Sequence, residues 1–210
     1  MNIKLWPVNV CIEHTLNTIF TAEELLKIIE IGESYEQAYP LAHVPAKIRN
    51  EEEQFYNLLE NDSPIITKYK SFLKEKLEHF AKDEGYLELP SFEVASSIRK
   101  FTPGDQVKPH THRSVDYVSV LWLSLEVTDS GKDTYQKIAG NRFQIMDPVP
   151  LRNRLLNHNM LCEIAPKQGT FVIHPSHLFH TTEPNLGSEE TIALVTNIKV
   201  TETVRTYTKL

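Results

Sequence analysis

The sequence predicts an α+β fold in which N-terminal helices buttress a sandwich or barrel of antiparallel strands, and three observations carry this reading. Apolar residues recur at three-and-four spacing before residue 84, the signature of helices with one buried face. After Gly85 the pattern shortens to strand-like runs separated by Pro, Gly, Asn and Asp. One of those runs, YVSVLWLSLEV at 117–127, is apolar almost throughout, so its strand is expected to be covered on both faces. At 210 residues the chain is long enough to bury a real core and short enough to be one folding unit.

Each element follows from local chemistry. Ile3 to Ile12 alternates apolar and polar residues around Pro7, which suits an edge strand where a missing N–H is tolerated. Thr21 stands three residues before Glu24, a capping box, and Leu25, Leu26, Ile28 and Ile29 follow at helical spacing. A polar stretch with Pro40 and Pro45 leads to a second helical region at 51–60. Glu51, Glu52 and Glu53 read there as a solvated helix face. Beyond Pro64, the residues Ile65, Ile66, Tyr69, Phe72, Leu73, Leu77 and Phe80 mark one buried stripe. The predicted strands are Phe92–Phe101, Tyr117–Val127, Asn141–Met146, Leu161–Ile164, Thr170–His174 and Thr191–Val204.

Composition excludes several functions. The formal net charge is −6 and the lysines and arginines are scattered singly, so no basic stripe matches a row of phosphates, and nucleic acid is not a favoured partner. Cys11 and Cys162 are the only cysteines and lie far apart, outside any CxxC spacing. That excludes a disulfide framework or thiolate zinc site and fits a reducing, cytoplasmic setting. No stretch approaches 18 uninterrupted apolar residues, and the N-terminus lacks a basic region followed by a long apolar run, so neither a membrane span nor a secretory leader is expected.

The nine histidines are unevenly spread. His110 and His112 lie in GDQVKPHTHRSVD, and residues i and i+2 of a strand share a face about 7 Å apart, which makes a chelating pair. His174, His177 and His180 lie in GTFVIHPSHLFHTTEPN. An antiparallel sandwich can bring a strand near 180 against one near 111, so His180 is the expected third ligand. His174 and His177, beside a turn, are expected to face solvent. Asp116, four residues after His112, is expected to accept the ring N–H of a ligand histidine or to serve as the alternative ligand. Trp122 and Phe143 are expected in the core.

These motifs resemble known families. Gly104, His110, His112 and Asp116 are similar to the first cupin motif, and Gly169, Pro175 and His180 to the second, with His177 in the place of an inner glycine. A closer likeness is to a family of iron(II)/2-oxoglutarate-dependent oxygenases of phage and marine-bacterial type. LWPV at 5–8, HTHRSVDYVSVLWL, FQIMDP at 143–148, GTFVIHPSHLFHTTEPN and TIALVTN at 191–197 occur in that family's order. The resemblance implies a double-stranded β-helix, a cupin-like jelly roll, with residues 1–90 as N-terminal strand and supporting helices and 91–205 as the core. It implies an iron(II) site, 2-oxoglutarate as cosubstrate and dioxygen as co-reactant. The substrate and the oligomeric state are not indicated.

Two departures from the family pattern shape the expected site. The family's commoner carboxylate position holds His112, so the triad is either three histidines or is completed by Asp116. The arginine that usually pairs with the far carboxylate of 2-oxoglutarate would fall near 189–191, where Glu189, Glu190 and Thr191 stand. Arg99, Arg142, Thr191 and Asn197 are therefore the candidates for holding the cosubstrate, the two arginines through paired N–H donors. A three-histidine dioxygenase without 2-oxoglutarate, a zinc hydrolase with one open position, and a non-enzymatic binding protein are the other readings of the same histidines.

Overall fold

The computed structural model describes residues 2–5, 8–38, 57–84, 91–126, 141–146 and 161–202. Helix α1 (Ala22–Ala38) starts on the expected capping box. The Thr21 amide donates to Glu24 Oε2 at 2.8 Å and the Glu24 amide to Thr21 Oγ1 at 3.2 Å, so two end donors are satisfied reciprocally. Helix α2 (Pro64–Asp83) begins with proline in its first turn, where a missing N–H costs nothing, and buries every residue of the expected stripe. Of the second helical region, 51–56 lie outside the described residues; Leu58–Glu60 form a 3₁₀ turn capped by Asn57.

Among the described residues there are nine strands, in chain order β1 (Asn2–Leu5), β2 (Val8–His14), β3 (Ser91–Phe101), β4 (Tyr117–Ser124), β5 (Phe143–Met146), β6 (Leu161–Ile164), β7 (Thr170–Pro175), β8 (His180–Thr182) and β9 (Thr191–Glu202). They build a six-stranded antiparallel sheet, β1-β2-β7-β4-β9-β3, and a three-stranded one, β6-β5-β8. The single N-terminal edge strand of the sequence reading is instead a hairpin, with Leu5 opposite Val8, and its second strand is interior, paired with β7. β4 is buried from Tyr117 to Leu123, as its unbroken apolar run demanded.

The large sheet has two different faces. Ile98, Leu121, Leu123, Phe171, Ile173, Leu194 and Ile198 face the helices and pack with Phe20, Tyr69, Phe72 and Phe80. Val120, Trp122, Val172 and Ala193 face the small sheet and pack with Phe143, Ile145, Ile164 and Leu178. Strand alternation assigns every other residue of β3, β4, β7 and β9 to this inner face, including Arg99, His174, Thr191 and Asn197. Gly169 forms the turn into β7 with φ +79°, and a Cβ there would lie 2.6 Å from Leu16 Cβ, so only glycine fits. Among the described residues, no helix is long and apolar enough to cross a membrane.

Candidate metal centre

Residues 107–112 are not a regular strand, but they run beside β8 and extend the small sheet. The Thr182 amide donates to the Val107 carbonyl and the Val107 amide to Thr182 Oγ1. His110 and His180 face each other in an antiparallel bridge with reciprocal bonds, His110 N–H to His180 O at 3.1 Å and His180 N–H to His110 O at 3.0 Å. His112 is fixed separately by its amide, which donates to the Ser176 carbonyl at 3.1 Å. Two short segments some seventy residues apart are thus sewn together by their backbones, and the imidazoles follow.

One ring nitrogen from each of His110, His112 and His180 lies within 4.8 Å of the other two. The ring centroids are 4.3 to 5.2 Å apart. The remaining nitrogens are engaged: Nδ1 of His110 donates to the Lys108 carbonyl and Nδ1 of His180 to the Leu178 carbonyl, each at 2.9 Å. A carbonyl only accepts, so the proton sits on Nδ1 and the Nε2 lone pair is left for a metal. His112 Nδ1 is 2.8 Å from Asn197 Oδ1, which fixes the third ring in the same sense. Three neutral imidazoles oriented by bonds behind them are a fitting donor set for a divalent transition metal.

Burial keeps these rings neutral. It pushes His180 down to about 2, with His174 as the largest neighbouring contribution, and His112 down to about 4, where the His110 and Arg99 charges add and the Asn197 bond opposes. At neutral pH both rings therefore present lone pairs without first releasing a proton.

The other expected residues are placed differently. Asp116 lies outside the convergent group; its carboxylate accepts from the Val200 amide at 2.7 Å, and the ring bond the sequence reading gave to Asp116 is made by Asn197. Arg142 is held by Glu163 at 2.9 Å and lies 3.8 Å from Glu183. Thr191 is 1% exposed and its hydroxyl has no hydrogen-bond partner among the described residues. Trp122 and Phe143 are core residues in edge-to-face contact, and Phe143 also lies 5.5 Å from the His180 ring.

His177 is exposed, as expected, but His174 is not: it is fully buried on the inner face, 4.6 Å ring to ring from His180. Its Nδ1 donates to the Pro175 carbonyl at 2.8 Å, its Nε2 is buried without a partner among the described residues, and burial lowers it to about 4. The signal was present in TFVIH, where His174 shares parity with the inward-facing Val172.

The fold and the ligand set define a double-stranded β-helix protein able to hold a divalent metal through three histidines. Residues 98–197 match the family described as "Putative 2OG-Fe(II) oxygenase". The fold is shared with a Pseudomonas putida prolyl-4-hydroxylase (10% identity, 94% of this chain and 88% of that one, TM-score 0.58). It is also shared with a viral collagen prolyl hydroxylase of Paramecium Bursaria Chlorella virus-1, determined with 2OG (15%, 91% and 96%, TM-score 0.55). A third likeness is a Trichoplax adhaerens prolyl hydroxylase in complex with a hypoxia inducible factor peptide (10%, 91% and 83%, TM-score 0.57). No curated protein matches the sequence.

Proposed function

We infer that His110, His112 and His180 hold iron(II) and that the chain hydroxylates a substrate C–H bond at this metal with 2-oxoglutarate and dioxygen. The observation that carries the assignment is the convergence of three Nε2 lone pairs within the residues that match the 2OG-Fe(II) oxygenase family. Three ligands on one side of the ion leave open positions for a bidentate 2-oxo acid and for dioxygen. Iron(II) with its cosubstrates supplies the oxidising equivalent, 2-oxoglutarate leaving as succinate and carbon dioxide.

The protein's own contributions are orientation and exclusion of water. Backbone carbonyls 108 and 178 and the Asn197 amide lock the three rings. Phe143 and Trp122 form an apolar wall behind His180. Three neutral imidazoles leave the full dipositive charge on the ion, which favours an anionic chelate in the open positions.

We read 1–210 as a single domain, with 1–90 in support of a 91–205 core, because α1 and α2 pack directly onto the large sheet. The free, separated Cys11 and Cys162 are compatible with a reducing cytoplasm. Purified protein should bind about one iron(II) per chain, and His110→Ala or His180→Ala should abolish binding, since two imidazoles leave too few donors for a labile divalent ion. Iron-loaded protein should convert 2-oxoglutarate to succinate in air. Full stoichiometric binding in both variants would overturn the ligand assignment.

A further inference from the structure

β3 is the last strand of the large sheet, so one side of its backbone has no strand beside it. An edge of this kind recruits a further strand unless something covers it. Part of it is covered by a single side chain. Asn57 Nδ2 donates to the Val94 carbonyl at 3.0 Å and Asn57 Oδ1 accepts from the Ser96 amide at 3.0 Å, so one carboxamide makes the two bonds that a residue of a neighbouring parallel strand would make. These bonds also fix which residues look outward. With Val94 and Ser96 turned to the edge, alternation turns Phe92 the same way, and the Phe92 carbonyl and the Val94 amide repeat the pair one step nearer the start of the strand. Neither has a partner among the described residues.

Beside that pair runs a groove of about 450 Å³ between β3 and α2. Phe92 and Val94 line it from the strand and Leu73 and Leu77 from the helix, and Leu59 of the 3₁₀ turn adds to this apolar floor. Lys70 and Lys74 are also in its wall, on the same face of α2 as the two leucines. Lys74 is exposed and makes no ion pair among the described residues. Lys70 only approaches the fully exposed Asp62, at 4.0 Å, and such a surface pair holds its partners weakly. No carboxylate lines the groove, although the whole chain carries a net charge of −6. Its walls are therefore apolar and positive, next to an unpaired backbone donor and acceptor.

We propose that this groove takes an extended segment of a partner polypeptide, added as a strand to β3 beyond Asn57, with apolar side chains on the leucine and phenylalanine floor and acidic ones toward Lys70 and Lys74. Its main chain donates to the Phe92 carbonyl and accepts from the Val94 amide, while alternate side chains enter the groove. A small amphipathic anion would match the lysines but not the backbone pair, which calls for a donor and an acceptor in strand register. The surface lies on the helix side of the large sheet, and the histidine cluster lies on the other, so the proposal stands apart from the oxygenase reading.

The test is selection of binders from a random displayed heptapeptide library on the purified full chain, followed by fluorescence-anisotropy titration of the selected peptides made synthetically. They should alternate apolar and acidic residues and should bind more weakly as salt is raised. Protein carrying both Lys70→Glu and Lys74→Glu should bind them at least tenfold more weakly, with an unchanged melting midpoint because both side chains reach solvent. N-methylation of the peptide residue that bonds Phe92 should also weaken binding at least tenfold, whereas methylation of its neighbour, whose N–H points away, should not. This arm leaves the protein unaltered and decides even if the lysine variant does not fold. Amide hydrogen exchange at Val94 should slow in the complex. An empty selection, peptides that bind equally well after the lysine reversal, or binding indifferent to both N-methylations would overturn the proposal. A dimer in sedimentation that the lysine reversal dissociates would give the groove to a second copy of this chain and overturn it equally.

Discussion

The two faces of the large sheet bury polar groups in opposite ways. Toward the helices, Tyr69 Oη, Thr196 Oγ1 and Ser96 Oγ form a hydrogen-bonded chain with links of 3.0 and 2.6 Å, set among aromatic and aliphatic side chains; Ser119 Oγ on that face stays outside it. Toward the small sheet, His174 Nε2 and Thr191 Oγ1 are buried without partners among the described residues, and His174 lies 4.6 Å ring to ring from His180. The first face pairs its buried hydroxyls with one another, Ser119 excepted. The second leaves two buried polar groups unspent on the side that carries the proposed metal ligands, so the proposed chemistry and the helix-side packing lie on opposite sides of one sheet.

The division can be broken on the helix side with the largest effect. Phe72 is buried and packs edge-to-face on Phe171 at 5.0 Å and Phe20 at 5.5 Å, so Phe72→Ala should cost about 3–5 kcal/mol of stability. Chemical denaturation measures this, and the folded fraction should keep iron stoichiometry; loss of the metal site at full fold would show that the faces are not separate. On the site side, Asn197→Ala should weaken iron affinity about 10- to 100-fold by freeing the His112 ring, with little change in folding. Asp116→Asn, which touches the Val200 amide instead of a ligand ring, should leave affinity near wild type. A reversed ranking in a competitive chelator titration would return Asp116 to the site.

The smallest effects concern protonation. His112, His174 and His180 all have folded values below the ordinary histidine range because of burial, so the folded state binds fewer protons than the unfolded one. Their neutral, buried form is fully supported above about 6.5, and its stability is lost as pH falls from there through about 4. The denaturation midpoint of metal-free protein should therefore drop between pH 7 and pH 4.5. His174→Phe should reduce that drop and leave stability at pH 7 equal or higher by about 1 kcal/mol, because it removes an acceptor that no donor among the described residues satisfies. An unchanged pH dependence in this variant would remove His174 from the account.

Much of this arrangement was legible in the residues. The stripe from Ile65 to Phe80, the Thr21–Glu24 capping box and the ends of β6 are local patterns, set by spacing and by neighbours in sequence. The convergence of His110, His112 and His180 was legible because an HxH pair and a distal histidine are unusual together. What was not legible depends on long-range pairing. β8 has only three residues, too few to show alternation, and exists because the 107–112 segment and β5 flank it. The Asn197 bond to His112 spans 85 residues, whereas Asp116, close in sequence, is drawn away by the end of β9.

The reciprocal backbone pair between His110 and His180 would make a metal held there a clasp as well as a reagent. The segment before β4 and the first residue of the three-residue strand β8 meet at this bridge. An ion ligated from both sides closes a loop of the chain of about seventy residues that is otherwise held at this point by two N–H to carbonyl bonds. Transient opening of the bridge would have to break metal bonds, so occupancy should slow amide hydrogen exchange at His110 and His180 first and propagate weakly into β4. Loss of the ion would then loosen the mouth of the barrel before any part of the helix-side core responds, linking metal supply to the lifetime of the folded entrance.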